Sequence, residues 1–155
     1  PELSGNDYIL ERQLKPEART DIVRLLEEKD IVPTSMIDIS DGLASDAIHL
    51  CKSSGTGCVI DEEKIPIDQT TYDIAKAFGL VPSIAALNGG EDYELLFTIR
   101  QEDYEKIEKD PDISVIGYMT EASEGMRLVT PDNRSVELQA QGWDALRKRE
   151  MGVGD

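Results

Sequence analysis

The order of apolar and polar positions divides the chain into alternating helical and extended stretches. Ile22, Val23, Leu25 and Leu26 form a stripe at helical spacing, which predicts a helix from Pro16 to about Lys29 with the proline in its first turn. Asp30 to Thr34, with Pro33, break it, and Ser35 to Ile39 read as a short buried strand. Leu43, Ala44, Ala47, Ile48 and Cys51 line one face of a second helix, from Gly42 to about Ser53, closed by Ser54-Gly55-Thr56-Gly57. Cys58-Val59-Ile60 predicts a strand leading into the acidic turn Asp61-Glu62-Glu63. Asp68 is placed to cap a helix from Gln69 to Phe78 that Gly79 ends, whereas Ser83 to Leu87 carry no decisive period. Tyr93, Leu95, Phe97 and Ile99 alternate with Asp92, Glu94 and Thr98 as in a strand, with Leu96 the exception. A helix near Glu102–Lys109 and strands near Ser114–Tyr118, Met126–Thr130 and Ser135–Leu138 follow. This mixture, with no internal repeat or inter-domain linker, predicts an α+β fold: a layered α/β/α domain with a mixed sheet.

Charge narrows the partners. Sixteen basic against thirty-two acidic side chains give a formal net charge of −16 over 155 residues. Such a surface repels nucleic acid and anionic membrane, so neither is expected as a partner. It also repels phosphate unless a bound cation reverses the field locally. Cys51 and Cys58 have no metal-ligand spacing and read as reduced core thiols of a cytoplasmic protein. The single histidine, His49, falls off the apolar stripe of its helix and is expected at the surface. No apolar run approaches a membrane span, and no signal-peptide pattern opens the chain. The opening Pro1-Glu2-Leu3, without an initiator Met, reads as a fragment or a processed product.

Two segments carry chemistry. Met36-Ile37-Asp38-Ile39-Ser40-Asp41-Gly42-Leu43 places two carboxylates and a hydroxyl where an apolar strand meets a helix. A carboxylate ending a buried strand needs a cation, a donor or water to offset its desolvation, and paired carboxylates suit a hard divalent cation shared with substrate phosphates. Helix capping by Ser40 or Asp41 is the plainer alternative, and it leaves Asp38 unexplained. In Asn88-Gly89-Gly90-Glu91-Asp92-Tyr93-Glu94-Leu95, two glycines permit close backbone approach and three carboxylates follow at the mouth of a strand. The plain alternative is a glycine turn before a strand with a solvated acidic face. Gln141-Gly142-Trp143-Asp144 carries the sole tryptophan, either core or domain-contact filler or a platform for a flat or cationic ring.

Taken in order, Ile37-Asp38-Ile39-Ser40-Asp41-Gly42-Leu43, Asn88-Gly89-Gly90-Glu91-Asp92-Tyr93-Glu94-Leu95 and Gly142-Trp143-Asp144 resemble the C-terminal domain of thiamine-monophosphate kinases. The upstream Arg12, Pro16 and Arg19 are similar to that family's lead-in, so the likeness covers roughly residues 10–147. The family belongs to a superfamily with aminoimidazole ribonucleotide synthetase, selenophosphate synthetase and a hydrogenase maturation factor, all two-domain users of ATP. The resemblance implies transfer of the ATP γ-phosphoryl to thiamine monophosphate, giving thiamine diphosphate. It implies that Asp38 and Asp41 hold Mg²⁺, that Ser40 contacts ATP, and that Glu91 and Trp143 contact the thiamine substrate. It also implies an arm or connection to a missing ATP-binding half over residues 1–15, a single C-terminal domain over 16–149, and a flexible tail over 150–155. Without that N-terminal half, which also forms most of the family's homodimer contact, the piece is expected to fold without catalysing. The alternatives are another ATP-dependent enzyme of the superfamily and a non-catalytic ligand-binding module.

Overall fold

The computed structural model describes residues 18–67, 69–79, 81–89 and 94–140. Helix α1 (Thr20–Glu28) leads into strand β1 (Ser35–Asp38), helix α2 (Leu43–Ser54) and strand β2 (Thr56–Asp61). Helices α3 (Gln69–Ala77) and α4 (Pro82–Asn88) follow, then strand β3 (Leu95–Thr98) and a single-turn helix α5 (Tyr104–Ile107). Strands β4 (Gly117–Glu121), β5 (Met126–Val129) and β6 (Ser135–Glu137) close the described chain.

The strands form two sheets. Strands β1 and β3 pair antiparallel, with Ser35 opposite Thr98 and Asp38 opposite Leu95. The other sheet has the order β4-β2-β5-β6, in which β2 runs antiparallel to β4 and parallel to β5, and β6 antiparallel to β5. The expected α+β class and mixed sheet are therefore present. A sheet with one parallel pair needs a long crossover between its strands. Here that path from β2 to β5 runs through α3, α4, β3, α5 and β4, so the crossover supplies β3 to the second sheet on its way.

Each sheet has its own apolar cluster. Leu43, Ala44, Ala47 and Cys51 of α2 pack with Cys58 and Ile60 of β2, Leu87 of α4 and Leu128 of β5. Gly55, in the left-handed conformation at φ 65°, ends α2 and turns the chain straight into β2. The second cluster joins Ile22 and Leu26 of α1 to Ile31 and Ile107, with Leu95, Phe97, Ile113 and Val115 against it. Two lysines fasten the crossing of α1 and α5: Lys29 Nζ donates to the Lys106 carbonyl (3.1 Å), and Lys106 Nζ to that of Asp30 (3.0 Å).

Several boundaries differ from the sequence expectations. Strand β1 is not buried: its residues alternate between half-buried and exposed, because among the described residues β3 is its one partner and Met36 and Asp38 point to solvent. Ser83 to Leu87 are helical within α4. The helix expected near Glu102–Lys109 is a 3-10 turn, Gln101–Asp103, followed by the short α5. The strand expected at Ser114–Tyr118 begins at Gly117, since Ile113 and Val115 are spent on the α1 cluster before the chain reaches β2. Cys51 and Cys58 are buried and free, and His49 is exposed, as expected. No helix among the described residues is long and apolar enough to cross a membrane. The arm at 1–15, Asp68 as a cap and the tail at 150–155 lie outside the described residues.

Candidate functional site

The Ile39–Gly42 loop leaves the end of β1 and enters α2. The backbone N–H of Ile39 donates to the Glu94 carbonyl at 2.8 Å, extending the β1–β3 pairing by one step. Gly42 then turns the chain at φ 108°, where a side chain is strained. A Cβ there would stand 3.1 Å from the Leu87 carbonyl oxygen, the Asn88 carbonyl carbon and the Gly89 carbonyl oxygen. The loop therefore lies against the C-terminal end of α4. Both described ends of the Gly89–Glu94 stretch touch it: Gly89 through the backbone facing Gly42, and Glu94 through its hydrogen bond to Ile39. Segments some fifty residues apart in sequence are joined at one edge of the β1–β3 ribbon.

Neither Ser40 nor Asp41 caps α2. The N-cap residue is Gly42, and no side chain bonds the first turn from that position. The capping alternative is thereby removed, and Asp38, Ser40 and Asp41 all have exposed side chains. Their exposure corrects the desolvation argument made for Asp38, whose carboxylate ends a half-open strand rather than a buried one.

The loop is held by a residue that the sequence reading passed over. Asp46, 2% exposed, accepts from the backbone N–H of Ser40 (2.9 Å) and of Asp41 (3.1 Å) through Oδ2. Its signal was present: Asp46 stands three residues after Leu43 and four before Leu50, an acidic side chain on the buried face of a helix. A buried carboxylate persists where hydrogen bonds replace its water. Arg19, named above only in the family's lead-in, fastens the neighbouring strand end. It pairs with Glu94 and also donates to Asp21, with Nε at 3.1 Å and Nη2 at 3.0 Å. The Asp21 hydrogen bond, together with the charge of Glu94, raises the guanidinium pKa further, and the same contact lowers that of Asp21.

Asp38, Ser40 and Asp41 present oxygen donors of the kind a hard cation takes. Among the described residues no group of three His, Cys, Asp or Glu side chains gathers in metal-binding geometry. The described chain thus offers Mg²⁺ at most a partial donor set, of the right chemistry, to be completed by phosphate and water oxygens. Glu91 and Trp143 lie outside the described residues. A cleft of about 320 Å³ opens between α4 and the β5–β6 edge, lined by Ile84, Leu87, Asn88, Leu128, Val136 and Leu138 among others.

This mixed sheet, this crossover and this loop against the end of α4 define a layered α+β domain. The chain belongs to the family of AIR synthase related proteins, C-terminal domain, matched over residues 3–129. Within that family it is similar to the thiamine-monophosphate kinase of Aquifex aeolicus, 36% identical over 135 residues that cover 87% of this chain and 40% of that protein. It is also similar to that of Pyrococcus horikoshii, 36% identical over 139 residues, or 90% and 41% respectively. The chain spans about 40% of the length of the curated relatives it matches. The solved structure described as AaThiL complexed with AMPPCP and TMP superposes with a TM-score of 0.68 at 36% identity, covering 84% of this chain and 39% of that one. An Escherichia coli hydrogenase maturation protein, HypE, shares the fold with a TM-score of 0.63 at 20% identity.

Proposed function

We propose that this chain is the C-terminal, substrate-side domain of an Mg²⁺-dependent thiamine-monophosphate kinase, a cytoplasmic phosphotransferase that moves the ATP γ-phosphoryl onto thiamine monophosphate. The observation that carries this reading is the meeting of the Ser40–Gly42 loop with both described ends of the Gly89–Glu94 stretch, the two sequences that mark the family. The relative whose structure holds AMPPCP, a non-hydrolysable ATP analogue, together with TMP supports both substrates. The greater length of the relatives supports a further half in the complete protein; that this half is N-terminal, completes the nucleotide site and forms most of a homodimer contact is proposed on the family resemblance. The domain alone is expected to be inactive.

Phosphoryl transfer asks the protein for positioning and charge rather than for a covalent intermediate. Asp38 and Asp41 are assigned to Mg²⁺, which when bound neutralises the mutual repulsion of the two phosphate groups and orients them. Ser40 offers a hydroxyl donor to the nucleotide. Glu91 gives an anionic partner to the aminopyrimidine or the cationic thiazolium of thiamine, and Trp143 an indole face to one of those rings.

The complete protein carrying this chain is to be mixed with ATP, Mg²⁺ and, in parallel, thiamine monophosphate, thiamine and a panel of other phosphate acceptors, with products followed by chromatography. Thiamine diphosphate from the monophosphate is expected. Turnover of ATP with a different acceptor would make the protein a sister enzyme, and binding of thiamine phosphates without turnover a ligand-binding module. Trp143→Ala is expected to raise the KM for thiamine monophosphate roughly tenfold, the loss of about 1–2 kcal/mol from a ring contact, and to leave that for ATP within about twofold. An unchanged thiamine monophosphate KM would remove Trp143 from the substrate site.

A further inference from the structure

The Ser40–Asp41 backbone has its N–H groups turned inward and its side chains outward, and one group accounts for both. Among the described residues Asp46 is the one charged side chain in the buried set. Its Oδ2 takes both N–H groups of the loop, and its own backbone N–H donates to the Gly42 carbonyl at 3.0 Å as α2 begins. The loop is thus closed onto the helix by a rigid, desolvated acceptor, while Gly42 is pressed against α4 and Ile39 is tied to Glu94. Remove the acceptor, and two backbone donors lose their partner in a place where the loop has no side-chain cap to replace it. The exposed side chains of Ser40 and Asp41 then lose the frame that sets them beside Asp38, which β1 holds opposite Leu95.

We propose that Asp46 is a positioning residue: its carboxylate fixes the loop so that Asp38, Ser40 and Asp41 face the same metal–nucleotide. The proposal rests on the kinase reading for the identity of that ligand, and on the hydrogen bonds alone for the positioning. Carboxyl partners that orient metal ligands without touching the metal commonly control affinity by ~10–100-fold. Asp46 is of that kind, acting through the peptide N–H groups rather than through the ligand side chains.

The test compares Asp46→Leu, which keeps the bulk and removes the acceptor, with Asp46→Asn, which keeps one carbonyl oxygen, in the complete protein. Folding is checked by circular dichroism and melting. Amide exchange at Ser40 and Asp41 and the affinity for Mn²⁺ with ATP, read by electron paramagnetic resonance, are measured beside steady-state kinetics. In folded Asp46→Leu we expect the two amides to lose protection, Mn²⁺ affinity and kcat to fall by about tenfold or more, and KM for thiamine monophosphate to stay within about twofold. Asp46→Asn should recover most of the loss. If Leu does not fold, the Asn variant carries the test, with about a threefold loss expected in Mn²⁺ affinity and faster exchange at the same two amides. Unchanged exchange and Mn²⁺ affinity in whichever variant is folded would overturn the proposal, as would a uniform loss in all parameters proportional to unfolded protein. If the wild-type protein lacks kinase turnover but its Mn²⁺ affinity and amide protection still depend on Asp46, the kinase reading fails and the positioning role stands.

Discussion

Gly42 shows how much one residue decides. Its φ of 108° and the backbone atoms of Leu87, Asn88 and Gly89 that would stand 3.1 Å from a Cβ leave little room to adjust, since backbone cannot swing aside as a long side chain can. Gly42→Ala is expected to lower stability by about 1–3 kcal/mol, measured by urea unfolding. Because the strain falls where the loop meets α4, activity should drop further than the loss of folded protein explains. Cys58 is the opposite case, a reactive type made inert. Burial, reinforced by its neighbour Cys51, pushes its thiol up to about 12. Its folded pKa lies above the unfolded one, so the protonated thiol contributes stability that is whole below about pH 9 and is lost between about pH 9 and 12 as the thiolate forms. The native protein should leave a chromogenic disulfide reagent unreacted at pH 8 and release two thiols per chain on denaturation. Rapid reaction without unfolding would contradict the buried placement. At this scale residue type and spacing in the sequence pointed to a loop of candidate oxygen donors but not to the buried carboxylate that hydrogen-bonds its backbone. Asp38, Ser40 and Asp41 stand out by residue type and spacing; the place of Asp46 on the apolar face of its helix signals burial, but which groups its carboxylate accepts from depends on the loop's fold.

Elements were read best where one face is buried along their whole length. Helix α2 and strand β2 came out within two residues at either end, because the same apolar side chains fix the period and fill the core. The misread stretches are those with divided loyalties. Among the described residues strand β1 has one partner, so its apolar residues signal a burial that those residues do not supply. Ile113 and Val115 extend the apparent strand before β4 because they serve the second cluster instead. Helix α1 depends on that small cluster, which makes it the sensitive element. Leu26, 2% exposed, anchors it, whereas Val23 is 42% exposed on the same helix. Leu26→Ala should cost about 2–5 kcal/mol and Val23→Ala no more than about 0.5 kcal/mol in chemical denaturation. Equal effects would mean that α1 is not packed as described. Loss of α1 would also release Arg19 from Glu94, and with it one tether of the stretch beside the loop.

For the whole molecule, the −16 formal charge and the phosphate chemistry pull against each other. On the proposed reading two anionic substrates meet on this acidic domain and require cations at the point of contact, for which the exposed Asp38 and Asp41 are the proposed place. The family was legible from three short segments in order. The packing of one segment against another was not, since it depends on a crossover that carries α4 and β3 back to the end of β1. The most direct measurement is the rate of thiamine diphosphate formation by the complete protein, wild type against Asp38→Asn/Asp41→Asn, with both melting temperatures recorded. The account predicts loss of at least about 100-fold in kcat, as when a preorganised electrostatic group is removed from a transition state, with the melting temperature nearly unchanged because both side chains are exposed. A variant that melts like wild type and turns over at the same rate would contradict it.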